Sequence, residues 1–152
     1  MASHSGLEVF LSHRRLAFIG VSASPTCPTR ELFRRLIARG HELAPIRPGV
    51  SDIEGIKAYP NLLRAGDVDG VVIMTSRRTA ERALEECLDA GARQVWLIGE
   101  DVGGGIAAFA AEHGIELVIT PDPTAALDLA EGLLQRLTVR LRRITINSRV
   151  TI

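Results

Sequence analysis

Aromatic residues are scarce in this sequence, at 4% of its residues, whereas apolar residues of all kinds make up 46%. The core must therefore consist mainly of valine, isoleucine, leucine and alanine, a composition typical of a parallel sheet covered by helices. No apolar run approaches the roughly 18 residues that a membrane-spanning helix needs. The length of 152 residues suits one domain with a substantial core.

Cysteine is also rare, and an excess of either charge is missing. Cys27 and Cys87 are too far apart for a CxxC motif and too few for a zinc ligand set, so we interpret them as reduced thiols. The 18 basic and 18 acidic residues cancel, which gives no argument for a nucleic-acid or membrane partner. The first residues lack the pattern of a secretory leader, and we expect a cytoplasmic protein.

Short apolar runs alternate along the chain with amphipathic stretches. Strands are predicted at 15–21, 41–46, 70–74, 94–98 and 115–120, with a short edge strand near 56–58 and a turn or short helix after Pro60. Helices are predicted at 7–12, 29–39, 79–90, 106–113 and 124–137. This order predicts an α/β, Rossmann-like three-layer fold with a mainly parallel five-stranded sheet.

The end of the sequence differs from the rest. We expect one domain over 1–137, followed by a basic, β-prone extension over 138–152 that forms a strand or hairpin. One interpretation is an edge hairpin on the same sheet. The other is a strand exchanged with a second copy, which would make a homodimer, because an exposed edge invites pairing.

Ligands of open α/β sheets bind beyond the carboxyl ends of the strands, so the residues that follow each strand are informative. After the first strand the segment 20–24 reads GVSAS and leads into a helix. Small residues, hydroxyls and a helix N-terminus together suit a phosphate. The segment is not a GxGxxG fingerprint, because Ser22 occupies the position of the second glycine.

The second strand is followed by Arg47 where NAD-binding folds place an acidic residue for the ribose hydroxyls. A guanidinium favours a phosphate at that end of the ligand, which argues against NAD and leaves coenzyme A or NADP. Thr75, Ser76 and Arg77 follow the third strand and form a second anion-friendly segment before a helix. A glycine-rich segment follows Ile98, and it either lines a pocket or is a flexible loop.

Five short motifs, taken in this order, resemble the small stand-alone CoA-binding domain proteins, relatives of the nucleotide-binding domain of the succinyl-CoA synthetase alpha subunit. The resemblance covers roughly residues 7–120. The motifs are the GxSxxP turn at 20–25, the PxxP loop at 45–48, the Ala-Tyr-Pro step at 58–60, the strand and Arg-Arg pair at 71–78, and Val-Trp-Leu-Ile-Gly at 95–99.

The resemblance implies a Rossmann-like fold that holds coenzyme A over the strand ends. By this analogy the predicted ligand-contacting residues are Gly20, Val21, Ser22, Ala23, Ser24, Pro45, Arg47, Pro48, Thr75, Ser76, Arg77, Ile98 and Gly99. Two departures stand out. The family usually has asparagine where this chain has Arg47, and an Asp-Arg-Cys segment where this chain has TPDP at 120–123.

No catalytic constellation is evident in the sequence. His13, His41 and His113 precede strands, so we expect them at the end of the sheet away from the ligand, and the same holds for Asp67 and Asp69. The acidic residues at the ligand end have no base or nucleophile as a partner. The sequence therefore predicts non-catalytic binding of coenzyme A or acyl-CoA. The alternatives are an NADP- or NAD-binding redox protein and a ligand-free structural or regulatory subunit.

Cys27 lies just before a predicted helix N-terminus, a place that lowers the pKa of a thiol. It is either a passive thiol or one able to form a mixed disulfide with bound coenzyme A.

Overall fold

The computed structural model describes residues 4–99, 104–121 and Asp128. The helices are α1 (His4–Leu11), α2 (Pro28–Ala38), α3 (Leu62–Ala65), α4 (Arg77–Ala90) and α5 (Gly104–Glu112). The strands are β1 (Arg15–Ile19), β2 (Glu42–Ile46), β3 (Asp52–Ile53), β4 (Ile56–Lys57), β5 (Gly70–Ile73), β6 (Gln94–Ile98) and β7 (Glu116–Thr120).

Five strands form one parallel sheet in the order β2-β1-β5-β6-β7. This confirms the predicted Rossmann-like architecture. Ile19 at the end of β1 lies beside Ile46 of β2 and Ile73 of β5. The carboxyl ends of these three strands are therefore level, and the loops that follow them emerge at one edge of the sheet.

Successive side chains of a strand point to opposite faces of the sheet. Each strand therefore contributes apolar side chains to both faces, and helices cover both. Leu16 and Phe18 of β1 pack into a cluster with α1 and α2. Ala17 and Ile19 pack into a second cluster with α3, α4 and α5. These two clusters are the two cores of a three-layer structure, and they hold the strand ends in a fixed arrangement.

The single tryptophan anchors one of these cores. Trp96 of β6 is fully buried, and its Nε1–H donates a 3.1 Å hydrogen bond to Oγ1 of Thr120. The ring of Phe10 from α1 meets it edge-on, with 5.9 Å between the ring centroids. A buried indole needs a partner for its N–H, and Thr120 supplies that partner at the end of β7.

The segment between β2 and β5 differs from its prediction. The short edge strand expected near 56–58 is present as Ile56–Lys57, but it pairs with Asp52–Ile53 in a separate antiparallel hairpin and does not join the main sheet. Only Tyr59 extends the main sheet, through an isolated parallel bridge to Ile46. The short helix expected after Pro60 is present as α3.

The third crossover helix begins earlier than the sequence pattern predicts. The predicted start was residue 79, whereas α4 begins at Arg77, with Ser76 in extended conformation as its N-cap. Serine is favoured at that position. As a result, the connection between β5 and the helix has only three residues, Met74, Thr75 and Ser76.

The predicted helix at 124–137 and the extension at 138–152 lie outside the described residues, apart from Asp128. The homodimer that depended on the extension therefore stays a prediction. Within the described ranges, no helix has the length and hydropathy required to cross a membrane.

Candidate functional site

The order of connections reverses beside β1. The chain passes from β1 to β2 on one side of the sheet, whereas β5, β6 and β7 follow on the other side. The loops after β1 and β5 therefore diverge to opposite faces and leave a crevice between them. Such a switch point is where open α/β sheets bind their ligands.

Gly20 forms the floor of this crevice. Its φ is +101°, which side chains of L-residues rarely adopt. A Cβ atom built at this position would lie 2.1 Å from the carbonyl oxygen of Met74 and 2.6 Å from Cγ2 of Thr75. The backbones that follow β1 and β5 are thus in direct contact, whereas from the sequence we expected a ligand to approach the small residues of this loop closely.

Two arginines hold the carbonyl groups of the β1–α2 loop, which we define as residues 20–27. Nη1 of Arg47 donates to the carbonyl oxygen of Val21 at 3.1 Å. Nη1 of Arg30 donates to the carbonyl oxygens of Ser22 and Ala23 at 3.1 and 3.2 Å. Three successive carbonyls therefore face guanidinium groups of the protein.

The N–H groups of the same loop point the other way, because the C=O and the N–H of a trans peptide are antiparallel. The N–H of Ser22 donates to Oγ1 of Thr29 at 2.9 Å, and the N–H of Ser24 donates to Oγ of Ser22 at 3.0 Å. No group in the described part of the chain accepts from the N–H of Ala23. The N–H of Ala23 is therefore a donor on the side of the loop away from its arginines.

Two helices begin at the crevice, and neither has a side-chain cap. The N-cap of α2 is Cys27 and that of α4 is Ser76, and neither side chain bonds to its helix backbone. The first N–H groups of a helix have no partner within the helix and carry the positive end of its dipole. Two uncapped N-termini beside one crevice favour a ligand with several negative charges.

The charge at the start of α4 strengthens this preference. Arg78 is exposed in the first turn, and that turn holds no acidic residue. A cation at a helix N-terminus is repelled by the dipole, whereas an acidic residue there is favoured. A bound anion at the crevice would remove this unfavourable arrangement.

The remaining predicted residues lie at different distances from the crevice. Pro45 is buried inside β2 and pairs with Phe18, so only Arg47 and Pro48 follow the end of that strand. Ile98 is buried at the end of β6, and the N–H of Gly99 donates to Thr120 at 3.0 Å. The backbone of Arg77 begins α4 next to Thr75 and Ser76. The crevice thus brings together the loops after β1, β2 and β5, with the end of β6 one strand further along.

Nothing in the sequence indicates that Arg30 and Glu54 belong to the site. Arg30 lies in the first turn of α2 and is only 6% exposed. It pairs with Glu54, in the turn between β3 and β4, and Arg34 pairs with the same carboxylate. Hydrogen bonds from Arg34 and Arg30 hold the pKa of Glu54 below its ordinary value. An acidic residue, Glu54, does follow β2, but its two carboxylate oxygens accept hydrogen bonds from Arg30 and Arg34.

The histidines and the aspartates before β5 lie at the opposite edge of the sheet, as predicted. Nδ1 of His41 is 2.9 Å from the carbonyl oxygen of His13, and both residues precede strands. A carboxylate oxygen of Asp69 accepts from the N–H of Arg15 at 2.9 Å, at the start of β1. Within residues 4–99 and 104–121, no cluster of three or more histidine, cysteine or acidic residues has a metal-binding arrangement.

The two cysteines lie in opposite environments. Cys27 is half-buried at the N-cap of α2, and the hydroxyl of Thr29 donates to its sulfur at 3.4 Å. This hydrogen bond lowers the pKa of the Cys27 thiol below its ordinary value. Burial raises the pKa of the Cys87 thiol to about 12.

This contrast predicts selective alkylation. We expect iodoacetamide to modify Cys27 in native protein, with a rate that reaches half its maximum below the ordinary pKa of a cysteine. Cys87 should stay unmodified until the protein unfolds. Mass spectrometry of timed samples at several pH values measures both rates, and Thr29→Val should shift the Cys27 profile to higher pH. Equal rates at the two cysteines would contradict this interpretation.

The sequence matches a family model and part of a larger known protein. A model of the CoA binding domain matches residues 14–122. The alpha subunit of an ADP-forming acetate–CoA ligase from Pyrococcus furiosus is 28% identical over 99 residues, which are 64% of this chain and 22% of that subunit. The chain thus spans less than a quarter of the length of this relative.

Solved structures show the same fold over most of the chain. A hypothetical protein from Pyrococcus horikoshii superposes with a TM-score of 0.74 at 20% identity, covering 83% of this chain and 90% of its own. A protein from Thermus thermophilus gives a TM-score of 0.72 at 22% identity, covering 83% and 97%. The family model, which matches well over half of the residues, carries the assignment: this chain belongs to the CoA-binding domain family.

Proposed function

We propose that this chain binds coenzyme A or an acyl-CoA, without catalysing a reaction itself, in the crevice between the loops after β1 and β5. The observation that carries this proposal is the contact at Gly20, where two backbones meet at the switch point. That contact places two uncapped helix N-termini on either side of one groove.

The charge distribution supports a ligand with a pyrophosphate. The β1–α2 loop turns its carbonyl oxygens towards Arg30 and Arg47 and leaves the N–H of Ala23 on the open side. The N-terminus of α4 adds further N–H donors, whereas α2 begins with Pro28, which has no N–H, and the N–H of Arg30 already donates to the carbonyl oxygen of Cys27. Two adjacent phosphates would be neutralised by backbone groups, which is the usual way in which Rossmann-like folds hold a pyrophosphate.

The residues at the end of β2 support coenzyme A over NAD. The side chain there is Arg47, and the nearest carboxylate in the hairpin, that of Glu54, is paired with Arg30 and Arg34. Among the described residues, the end of β2 thus offers the ribose hydroxyls a guanidinium and no free carboxylate, and a guanidinium suits a ribose phosphate. Coenzyme A and NADP both carry such a phosphate. Membership of the CoA-binding family supports coenzyme A.

The absence of catalysis is also part of the proposal. His13, His41 and His113 precede strands and lie at the opposite edge of the sheet from the crevice. The acidic residues expected at the ligand end, Glu100, Asp101 and Asp122, lie outside the described residues. The Pyrococcus furiosus relative is a subunit of a ligase, and this chain corresponds to less than a quarter of it. We infer that this chain supplies the binding step alone.

Thermal unfolding with a ligand panel tests the proposal. We expect coenzyme A at a hundredfold excess over its dissociation constant to stabilise the folded state by roughly 2.7 kcal/mol, which raises the Tm by about 5–10 °C. Acetyl-CoA should give a similar shift, whereas NADP, NAD and ATP at the same concentration should give much smaller ones.

Other results of the ligand panel would contradict the proposed function. A larger shift with NADP or NAD would contradict coenzyme A binding and favour the redox alternative. A shift with none of the ligands would contradict ligand binding and favour the structural or regulatory alternative. Product analysis after incubation with acetyl-CoA and nucleotides tests catalysis separately, and turnover would contradict the non-catalytic role.

A further inference from the structure

A buried arginine connects the β3–β4 hairpin to the β1–α2 loop. The side chain of Arg30 is 7% exposed. Nη1 donates to the carbonyl oxygens of Ser22 and Ala23, at 3.1 and 3.2 Å, and Nη2 donates to a carboxylate oxygen of Glu54. One guanidinium therefore bonds simultaneously to the loop at the crevice and to the hairpin turn.

Glu54 is held in an unusual backbone conformation. Its φ is +52°, the only positive value outside glycine in the described part of the chain. The side chain has no local reason to be glutamate, because asparagine, aspartate and glycine tolerate this conformation better. Its two carboxylate oxygens are divided between Arg30 and Arg34. The long, charged side chain fits the task of reaching both arginines on α2.

The other polar groups of the hairpin are engaged locally. A carboxylate oxygen of Asp52 accepts from the N–H of Gly55 at 3.3 Å, and the other accepts from the hydroxyl of Ser51 at 3.3 Å. The amino group of Lys57 lies over the ring of Tyr59, 5.4 Å from its centroid. Glu54 is thus the hairpin residue whose charge acts on α2 and, through Arg30, on the loop.

We propose that Glu54 is a positioning residue for ligand binding: it fixes Arg30 so that the carbonyls of Ser22 and Ala23 face inward and the N–H of Ala23 faces the ligand. This inference rests on the proposed binding of coenzyme A at the crevice. It makes the hairpin, which need not touch the ligand, a determinant of affinity.

The direction of the change in coenzyme A affinity distinguishes the positioning of Arg30 from a purely electrostatic effect of the Glu54 carboxylate. Coenzyme A is a polyanion, so removal of a nearby carboxylate would strengthen its binding if charge alone mattered. Loss of positioning acts in the opposite direction, because Arg30 becomes free to turn and the loop loses its fixed N–H donors. A neutral replacement that weakens binding therefore identifies positioning.

The test compares two glutamates, each paired with an arginine. We expect Glu54→Gln to weaken coenzyme A binding by about tenfold in isothermal titration calorimetry, the effect of losing one charge-assisted hydrogen bond. The control is Glu42→Gln, which breaks a pair with Arg15 at the opposite edge of the sheet and should leave the affinity unchanged. An unchanged or higher affinity in Glu54→Gln would overturn the inference.

A second measurement needs no ligand. In ¹⁵N-labelled free protein, we expect Glu54→Gln to move or broaden the amide signals of Ala23 and Ser24, while Glu42→Gln leaves them in place. Unchanged signals would overturn the inference, even if coenzyme A binds. If the wild-type chain binds no coenzyme A, the proposed function fails, and these amide signals still decide whether Glu54 controls the loop. Should Glu54→Gln not fold, Glu54→Asp replaces it in both measurements, because aspartate tolerates the positive φ and keeps the charge but is one methylene shorter in its reach to Arg30 and Arg34.

Discussion

We expect Gly20→Ala to lower the free energy of unfolding by about 3–5 kcal/mol and to remove coenzyme A binding. The new Cβ would lie 2.1 Å from the carbonyl oxygen of Met74, so the backbones after β1 and β5 must separate. The positive φ of +101° adds strain of about 1–2 kcal/mol for any L-residue. Urea denaturation measures the stability, and calorimetry of the folded fraction measures the binding.

Gly40 provides a matched control for this substitution. Its φ is +97°, close to that of Gly20, but a Cβ there would meet no atom within 4 Å. Gly40→Ala should therefore cost only the conformational strain, about 1–2 kcal/mol, and leave binding intact. Equal losses of stability in the two variants would show that the contact between the loops does not matter.

The order of strands and helices could be predicted from the sequence because the strands of the main sheet lie between two layers of helices. Both faces of the sheet are covered, so strands appear as unbroken apolar runs, as in β5 and β6. The same pattern located the crevice, because the loops after parallel strands emerge at one edge. Gly20 was assigned to the site because small residues directly after a strand allow close approach of a ligand, and the structure adds that the backbone of Met74 also approaches it closely.

The network beneath the crevice was not predictable from sequence. Arg30 and Glu54 are separated by 24 residues, and their contact depends on the turn between β3 and β4. That hairpin has only two residues in each strand, too few for a period of two to be visible. From the sequence alone, a partly buried ion pair of this kind cannot be distinguished from two exposed charged residues that do not interact.

Pro45 illustrates a different difficulty. The predicted strand at 41–46 includes it, whereas the family resemblance places it in a PxxP loop at 45–48 that contacts the ligand. In the structure it continues β2, which lies at the edge of the sheet, where a missing donor is tolerated. Its carbonyl oxygen accepts from the N–H of Tyr59 at 2.9 Å, which fixes the return of the chain after the hairpin.

We expect Arg47→Glu to weaken coenzyme A binding about a hundredfold, an effect of roughly 3 kcal/mol. The substitution replaces a cation by an anion at the end of β2 and removes the donor to the carbonyl oxygen of Val21. Arg14→Glu makes the same change of net charge at an exposed position before β1, at the other edge of the sheet. It should leave the affinity unchanged, and calorimetry compares the two.

Arg47 can act on the ligand in two ways, and a milder variant distinguishes them. Nη1 holds Val21, while the guanidinium has further N–H donors for a ribose phosphate. We expect Arg47→Met to weaken coenzyme A much more than dephospho-CoA, which lacks that phosphate, because a phosphate contact acts only on the former. Equal weakening of both ligands would mean that Arg47 acts solely through the β1–α2 loop, and the argument for a ribose phosphate at the end of β2 would then be lost.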